Sequence, residues 1–535
     1  MRLVYNFENN NIIFKVSTFI VRSMKDSVYF YIIIGSIISS IAFLYFYQNG
    51  LGVAYNDARS HLDIARRVVE SLSPGLAQLG SVWLPLPHVL MIPFVWSDFL
   101  WHTGLAGSVI SMGSYIISIV LIYQFLKEIE VGYIGRAVGV AIFGLNLNVL
   151  YLQSTAMTEL LLLATMTAAC YELMKWVKTN SLAHLIYSAL FIMLSTLVRY
   201  DGWFLLVVVF VFVLVYSIVK RGVKSAEGLL VLFTTLSAVG IFLWILWNLL
   251  IFKDPLYFAF GPFSAKSQQD ILLSAGGLPT KYDLFLSIKV YVYALLYNSG
   301  VIQLLLAFVG FIVFIFSKFK SIWLRLTSIT LLAPLAFNIL ALFLGHSVLY
   351  VADISGNTWF NVRYGIMLMP AVAIFIGYLV HRSGYLKSTI IGILAILTLF
   401  SYTSFDSVTI DDARVGSSQK NVSEVAGWLN TNALHENEFI LISAASHDAI
   451  IFSSGLPMKR FIHEGTGDYW RNAHESPEKW VRWIIMRTND QNDLTYTTLS
   501  KYGGFEKYDL VDHYPFADIY EIKEEYRSQI ENHIL

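Results

Sequence analysis

The chain has 535 residues, 56% of them hydrophobic and 14% charged, and its formal net charge is zero. Average soluble domains carry about 25% charged residues, so this deficit, with repeated apolar runs of about 20 residues, marks a polytopic α-helical membrane protein. Zero net charge gives a nucleic-acid partner no electrostatic support. The single Cys170, inside an apolar run, excludes internal disulfides and cysteine-based zinc sites.

Residues 1–27 carry Arg2, Lys15, Arg22 and Lys25 and lack the early apolar core of a signal peptide. They read as a cytoplasmic tail with a short interfacial helix over 12–24. About eleven membrane helices are expected in 28–403, near 28–47, 104–126, 133–153, 158–176, 183–199, 203–219, 228–251, 291–316, 323–345, 362–381 and 386–403. A first loop spans 48–103, and its apolar stretch 88–101 lies at or dips into the interface. With the N-terminus cytoplasmic, the inside loops 127–136, 175–178, 220–224, 318–325 and 382–387 are short and basic, the positive-inside pattern. The loops 55–87, 153–159, 198–203, 253–289 and 346–363 then face outward. Residues 404–535 turn polar, with strand-like runs at 439–443, 460–462, 480–486 and 519–522 and helix-like runs at 420–432 and 494–502. That alternation predicts an extracytoplasmic α/β domain.

The first loop is the densest polar stretch of the membrane part. Leu62, Ala65, Val69 and Leu72 recur at helical spacing, which predicts an amphipathic helix along the membrane surface. Asn56 or Asp57 would cap it. Arg59, Asp63 and Arg67 follow four apart and would form a ladder of ion pairs, while Asp57 and His61 would share a face. Ser73-Pro74-Gly75 ends the helix.

An opening Asp, an amphipathic helix and a return through Gly80, Trp83 and Pro85 resemble the GT-C glycosyltransferases, nearest to the protein O-mannosyltransferase and aminoarabinose-transferase group. Thr158-Glu159-Leu160-Leu161 resembles that group's Thr-Glu-Pro-Leu, and Arg199-Tyr200-Asp201-Gly202 its Arg-Tyr-Glu-Gly. Arg363-Tyr364 with Pro370 resembles its Arg-Tyr followed by Pro. The resemblance covers about 28–400, in order. Leu160 replaces the usual Pro, and Asp57 stands alone where protein mannosyltransferases show an Asp-Glu pair.

The resemblance implies inverting transfer of a sugar, mannose or another hexose, from a polyprenyl-phosphate carrier to a hydroxyl acceptor on protein, glycolipid or polysaccharide. Such a reaction needs a carboxylate to take the acceptor proton and cations to hold the leaving phosphate. Asp57 and Glu159 are the expected catalytic residues. Arg199, Arg363 and Arg59 are expected at the donor phosphate, and His61, Asp201 and Lys253 at the substrate, with Lys266 a weaker cation. No cofactor and no metal are expected. In the α/β domain, Ser443–Asp448 after a strand is a place to position the acceptor. A lipid flippase or a silent lipid-binding relative would also be polytopic, but charged residues here gather at span ends rather than at the midplane a transport path would use. Short loops and no eukaryotic targeting signal point to a prokaryotic plasma membrane.

Overall fold

The structure is a computed structural model describing residues 27–261, 264–274, 276–317, 321–405, 407–416, 419–502 and 504–530. The expected tail helix over 12–24 lies outside the described residues.

Eight helices or helical runs among the described residues are long and apolar enough to cross a bilayer, nine if one sharply bent pair counts as a span. The protein is an integral multi-pass membrane protein. In chain order, α1 (Val28–Gln48) leads into the first-loop helix α2 (Asn56–Val69). Then come α3 (Leu105–Glu128), α4 (Tyr133–Gly144), α5 (Glu159–Thr179), α6 (Leu182–Thr196), α7 (Asp201–Arg221) and α8 (Val223–Phe252). The bent pair α9 (Leu284–Ser299) and α10 (Val301–Ile315) follows, then α11 (Ile322–Ile329), α12 (Ala333–Leu344), α13 (Met369–Arg382) and α14 (Lys387–Ser404).

Three of the expected spans differ from the structure. The run 133–153 stops at Gly144 and restarts as a six-residue helix at Leu147, because Asn146 accepts the Val149 N–H (3.0 Å) and so starts a new helix. The run 183–199 yields a helix of 15 residues, about 22 Å long. The run 291–316 bends by 106°. Gly300 sits at the corner with φ of 86°, and Asn298 before it donates to the carbonyls of Ala294 (2.8 Å) and Val362 (2.7 Å). Hydropathy registers apolar length and cannot register a left-handed residue inside it.

The spans are packed by small residues and buried hydroxyls. A Cβ on Gly107 of α3 would stand 2.3 Å from that of Ala156. The Ser108 and Ser111 hydroxyls donate to the carbonyls of Ser154 and Met157, both at 3.0 Å. These contacts press the turn before α5 onto α3 and so set where Glu159 begins its helix.

Beyond α14 the chain folds back as α15 (Val408–Gly416) and α16 (Gln419–Asn432). It then forms a five-stranded sheet of order β2-β1-β3-β5-β4. The strands are β1 (Phe439–Ile442), β2 (Phe461–Ile462), β3 (Val481–Met486), β4 (Tyr508–His513) and β5 (Asp518–Ile522). β1 pairs in parallel with β2 and β3; β5 runs antiparallel to β3 and β4. The four strand-like runs are strands, and 494–502 is a helix. β4 escaped the reading because most of its residues are exposed. The helix α17 (Ala444–Ser454) after β1 packs on α2. One apolar core runs from the spans into this sheet.

Candidate active site

α2 opens the site. Tyr55, not Asn56 or Asp57, occupies the cap position, and no side chain caps the helix. Asp57 is therefore in the first turn with its carboxylate free to reach elsewhere. Ala58 to Arg66 are all buried, because α17 covers the face that a membrane-surface helix would leave to water. The expected Arg59–Asp63–Arg67 ladder does not form. Arg59 Nε donates to the Val53 carbonyl (2.9 Å), and Asp63 Oδ1 accepts from the Trp101 indole (3.1 Å).

Arg363 is the hub. It enters a 3-10 turn (Val362–Leu368) at the start of α13, and two residues later Gly365 lies so close to α9 that a Cβ would stand 2.2 Å from the Ala294 oxygen. That tight contact fixes the turn. The Arg363 Nη2 pairs with Asp57 Oδ2, Nε donates to Glu159 Oε1 (3.1 Å), and Nη1 lies 3.7 Å from Asp412 Oδ2. Its guanidinium stacks 4.8 Å from the Tyr55 ring. Arg199 stands beside it. Nη1 donates to Glu159 Oε1 and Thr158 Oγ1, both at 3.3 Å, Nε lies 3.5 Å from Asp201 Oδ2, and the Tyr364 ring is 4.7 Å away.

Four carboxylates thus meet two guanidiniums, but they are not equivalent. The Asp57 side chain is 41% exposed; those of Glu159, Asp412 and Asp201 are 0%, 1% and 5% exposed. Among the described residues, Glu159 Oε2 and Asp412 Oδ1 are buried without a hydrogen-bond partner. Asp57 is the one acid of the four that a water-borne hydroxyl can approach.

His61 Nδ1 lies 2.8 Å from His88 Nε2, and the His61 ring packs at a 45° tilt against Trp83, centroids 4.5 Å apart. Burial, then Arg199 and Arg363, push its pKa down to about 3, so the imidazole is neutral at pH 7. Lys253 and Lys266 do not join the centre: Lys253 Nζ bonds the Leu250 carbonyl (2.8 Å), and Lys266 pairs with Asp270 (2.7 Å) on an exposed helix face. Arg59, spent on Val53, also stays outside.

Asp412 and Tyr55 were missed by sequence reasoning. Tyr55 donates to the Thr409 carbonyl (2.7 Å) and Asp412 Oδ2 (3.2 Å). Thr409 is in turn held by Asn148 through its N–H (3.1 Å). The only local signal was the pair Asp411-Asp412 just after the last span. In the α/β part, His447 pairs with Asp493 (2.7 Å) in full burial, so Ser446, His447 and Asp448 are not a triad. Glu464 accepts the Ala444 (2.9 Å) and Ala445 (2.6 Å) N–H groups. That carboxylate fills the helix N-terminus where a ligand was expected.

No described protein family and no curated protein sequence matches the chain. Among solved structures it is similar to ArnT from Cupriavidus metallidurans bound to undecaprenyl phosphate. The two are 11% identical, cover 91% and 98% of this and that chain, and superpose with a TM-score of 0.52. The apo form of ArnT gives 10% identity, 92% and 99% coverage, and the same TM-score. The oligosaccharyltransferase AglB from Archaeoglobus fulgidus, in complex with an inhibitory peptide and a dolichol-phosphate, gives 10%, 93% and 74%, and 0.49. A helical membrane layer with its polar centre at the first-loop helix, covered by a C-terminal sheet and matched over 91% of the chain by ArnT, is the GT-C fold, and this chain has it.

Proposed function

We propose that this protein is an inverting glycosyltransferase that moves a sugar, mannose or another hexose, from a polyprenyl phosphate to a hydroxyl acceptor. The observation that carries the reading is the Asp57–Arg363 pair: an accessible carboxylate beside a buried guanidinium, at the end of the spans, under a folded domain. The undecaprenyl phosphate bound to the similar ArnT structure supports the donor class.

In this reading the donor phosphate takes its place on Arg363 and Arg199, whose planar forks suit its oxygens. One Asp57 oxygen is then released toward the acceptor. The acceptor oxygen attacks the sugar C1 from the face opposite the phosphate. The C1–O bond breaks, its electron pair leaves on the polyprenyl phosphate, and the acceptor proton passes to Asp57. Glu159, fully buried between both arginines, acts as the positioning counter-charge, and Asp412 anchors Arg363 from behind. His61, with Trp83, offers a neutral wall to the sugar. The N-terminus is cytoplasmic, and residues 404–535 form an extracytoplasmic domain over the site. The host membrane is a prokaryotic plasma membrane.

The test is transfer from a panel of radiolabelled polyprenyl-phosphate sugars by purified protein, with a membrane extract as acceptor. Asp57→Asn is expected to lose about 10²- to 10⁴-fold in transfer while still binding donor. Equal transfer by Asp57→Asn and wild type removes Asp57 from the mechanism, and wild type that binds no polyprenyl-phosphate sugar sinks the reading.

A further inference from the structure

The helices that carry the site frame an open polar hollow at their other ends. α5 and α7 are 21 residues each, and begin with Glu159 and Asp201. That length is about 30 Å, one hydrocarbon thickness. Where they end, beside the start of α11, lies a cavity of about 330 Å³ lined by Asn180, Tyr216, Lys220, Arg221, Ser321 and Trp323.

Asn180 ends α5 in the left-handed region (φ 57°), and its Oδ1 accepts from Arg221 Nη2 (3.1 Å) and the Tyr216 hydroxyl (3.4 Å). The Trp323 ring stands edge-on to Tyr216 at 5.2 Å and closes one wall. Among the described residues, no Asp or Glu lines the hollow. The nearby Glu128 is already taken by Lys175 (3.5 Å) and Lys178 (2.7 Å). Neither Lys220 nor Arg221 meets a carboxylate among the described residues.

Two cations at a helix C-terminus are ordinary by themselves. Here they rim a hollow that also presents amide, hydroxyl and indole groups, at the depth where the spans leave the hydrocarbon. Basic pockets between membrane helices at that depth suit lipid phosphates. A strip of α7 leads away from the rim: Val211, Val215 and Val219 are four apart and 50%, 46% and 63% exposed. An acyl chain attached to a phosphate in the hollow would lie along that strip, which a soluble anion would not use. We propose that the hollow binds the phosphodiester headgroup of an anionic phospholipid.

Native mass spectrometry of the full chain, titrated with phosphatidylglycerol and phosphatidylcholine of equal chain length, tests this. Wild type is expected to prefer phosphatidylglycerol by about tenfold or more, and Lys220→Gln with Arg221→Gln to abolish the preference. Arg382→Gln with Lys387→Gln, on the same side but outside the hollow, should keep it. The proposal is overturned if wild type shows no preference, if the first double variant retains it, or if the control loses it equally, which would make it general surface charge. Competition by glycerol phosphate as effective as by the lipid would also overturn it, naming a soluble anion instead.

Discussion

Lysine at position 363 keeps the charge and destroys the geometry, so Arg363→Lys is the sharpest probe of the centre. The guanidinium reaches three carboxylates with three different nitrogens: Asp57 with Nη2, Glu159 with Nε at 3.1 Å, and Asp412 with Nη1 at 3.7 Å. One ammonium on a flexible stem holds one of these well. At about 1.5–3 kcal/mol for a hydrogen bond to a charged group, losing one close contact and one longer one costs roughly 2–4 kcal/mol. Applied to the transition state, that is a loss of about 30- to 1,000-fold in transfer. Arg199→Lys should lose less, because that side chain is 20% exposed and its contacts are 3.3–3.5 Å. The assay is initial-rate sugar transfer in nanodiscs, with donor binding measured in parallel. Transfer by Arg363→Lys within about threefold of wild type, or a larger loss in Arg199→Lys, would refute the reasoning.

Glu159→Gln leaves the buried Arg363 and the part-buried Arg199 without their shared carboxylate, a change of about 3–5 kcal/mol. It should lower the melting temperature in detergent more than Asp57→Asn does, since Asp57 is half in water; the reverse order would deny Glu159 its positioning role. Acid should loosen the first loop, because His61 (pKa about 3) and His88 are kept neutral by burial. The unfolded chain takes up their protons below about 6.5, so stability is full above that value and falls as pH drops toward 3, by up to about 1.4 kcal/mol per pH unit per histidine. Melting temperature against pH reads this, and His61→Gln should flatten the slope. For orientation, Leu434→Cys in the sheet part should react with an impermeant maleimide in intact cells. Tyr385→Cys, in the turn between α13 and α14 and 93% exposed, should react only after permeabilisation; the opposite pattern inverts the topology.

Much of this was written locally. Apolar length located eight spans as helices, and the α/β alternation located four of the five strands. Asp57, Glu159, Arg199, Asp201 and Arg363 were legible as polar residues that an apolar chain carries only at span ends, where their charges meet water or one another. Pairing was not legible. Asp57 and Arg363 are 306 residues apart, and nothing periodic links them. Arg59 stood beside Arg199 and Arg363 among the expected phosphate ligands, and only packing sends its Nε to Val53. Asp412 lay beyond the last span, in what read as another domain, until Asn148 and Tyr55 pinned Thr409 beside the hub. The burial of α2 also depended on a distant partner, the helix after β1. The sequence by itself determined which segments are apolar and where charge can sit, because transfer from water to lipid is a property of each segment. Tertiary structure alone decided which charges share one cluster and which acid keeps contact with water, because those follow from close packing of segments far apart in the chain.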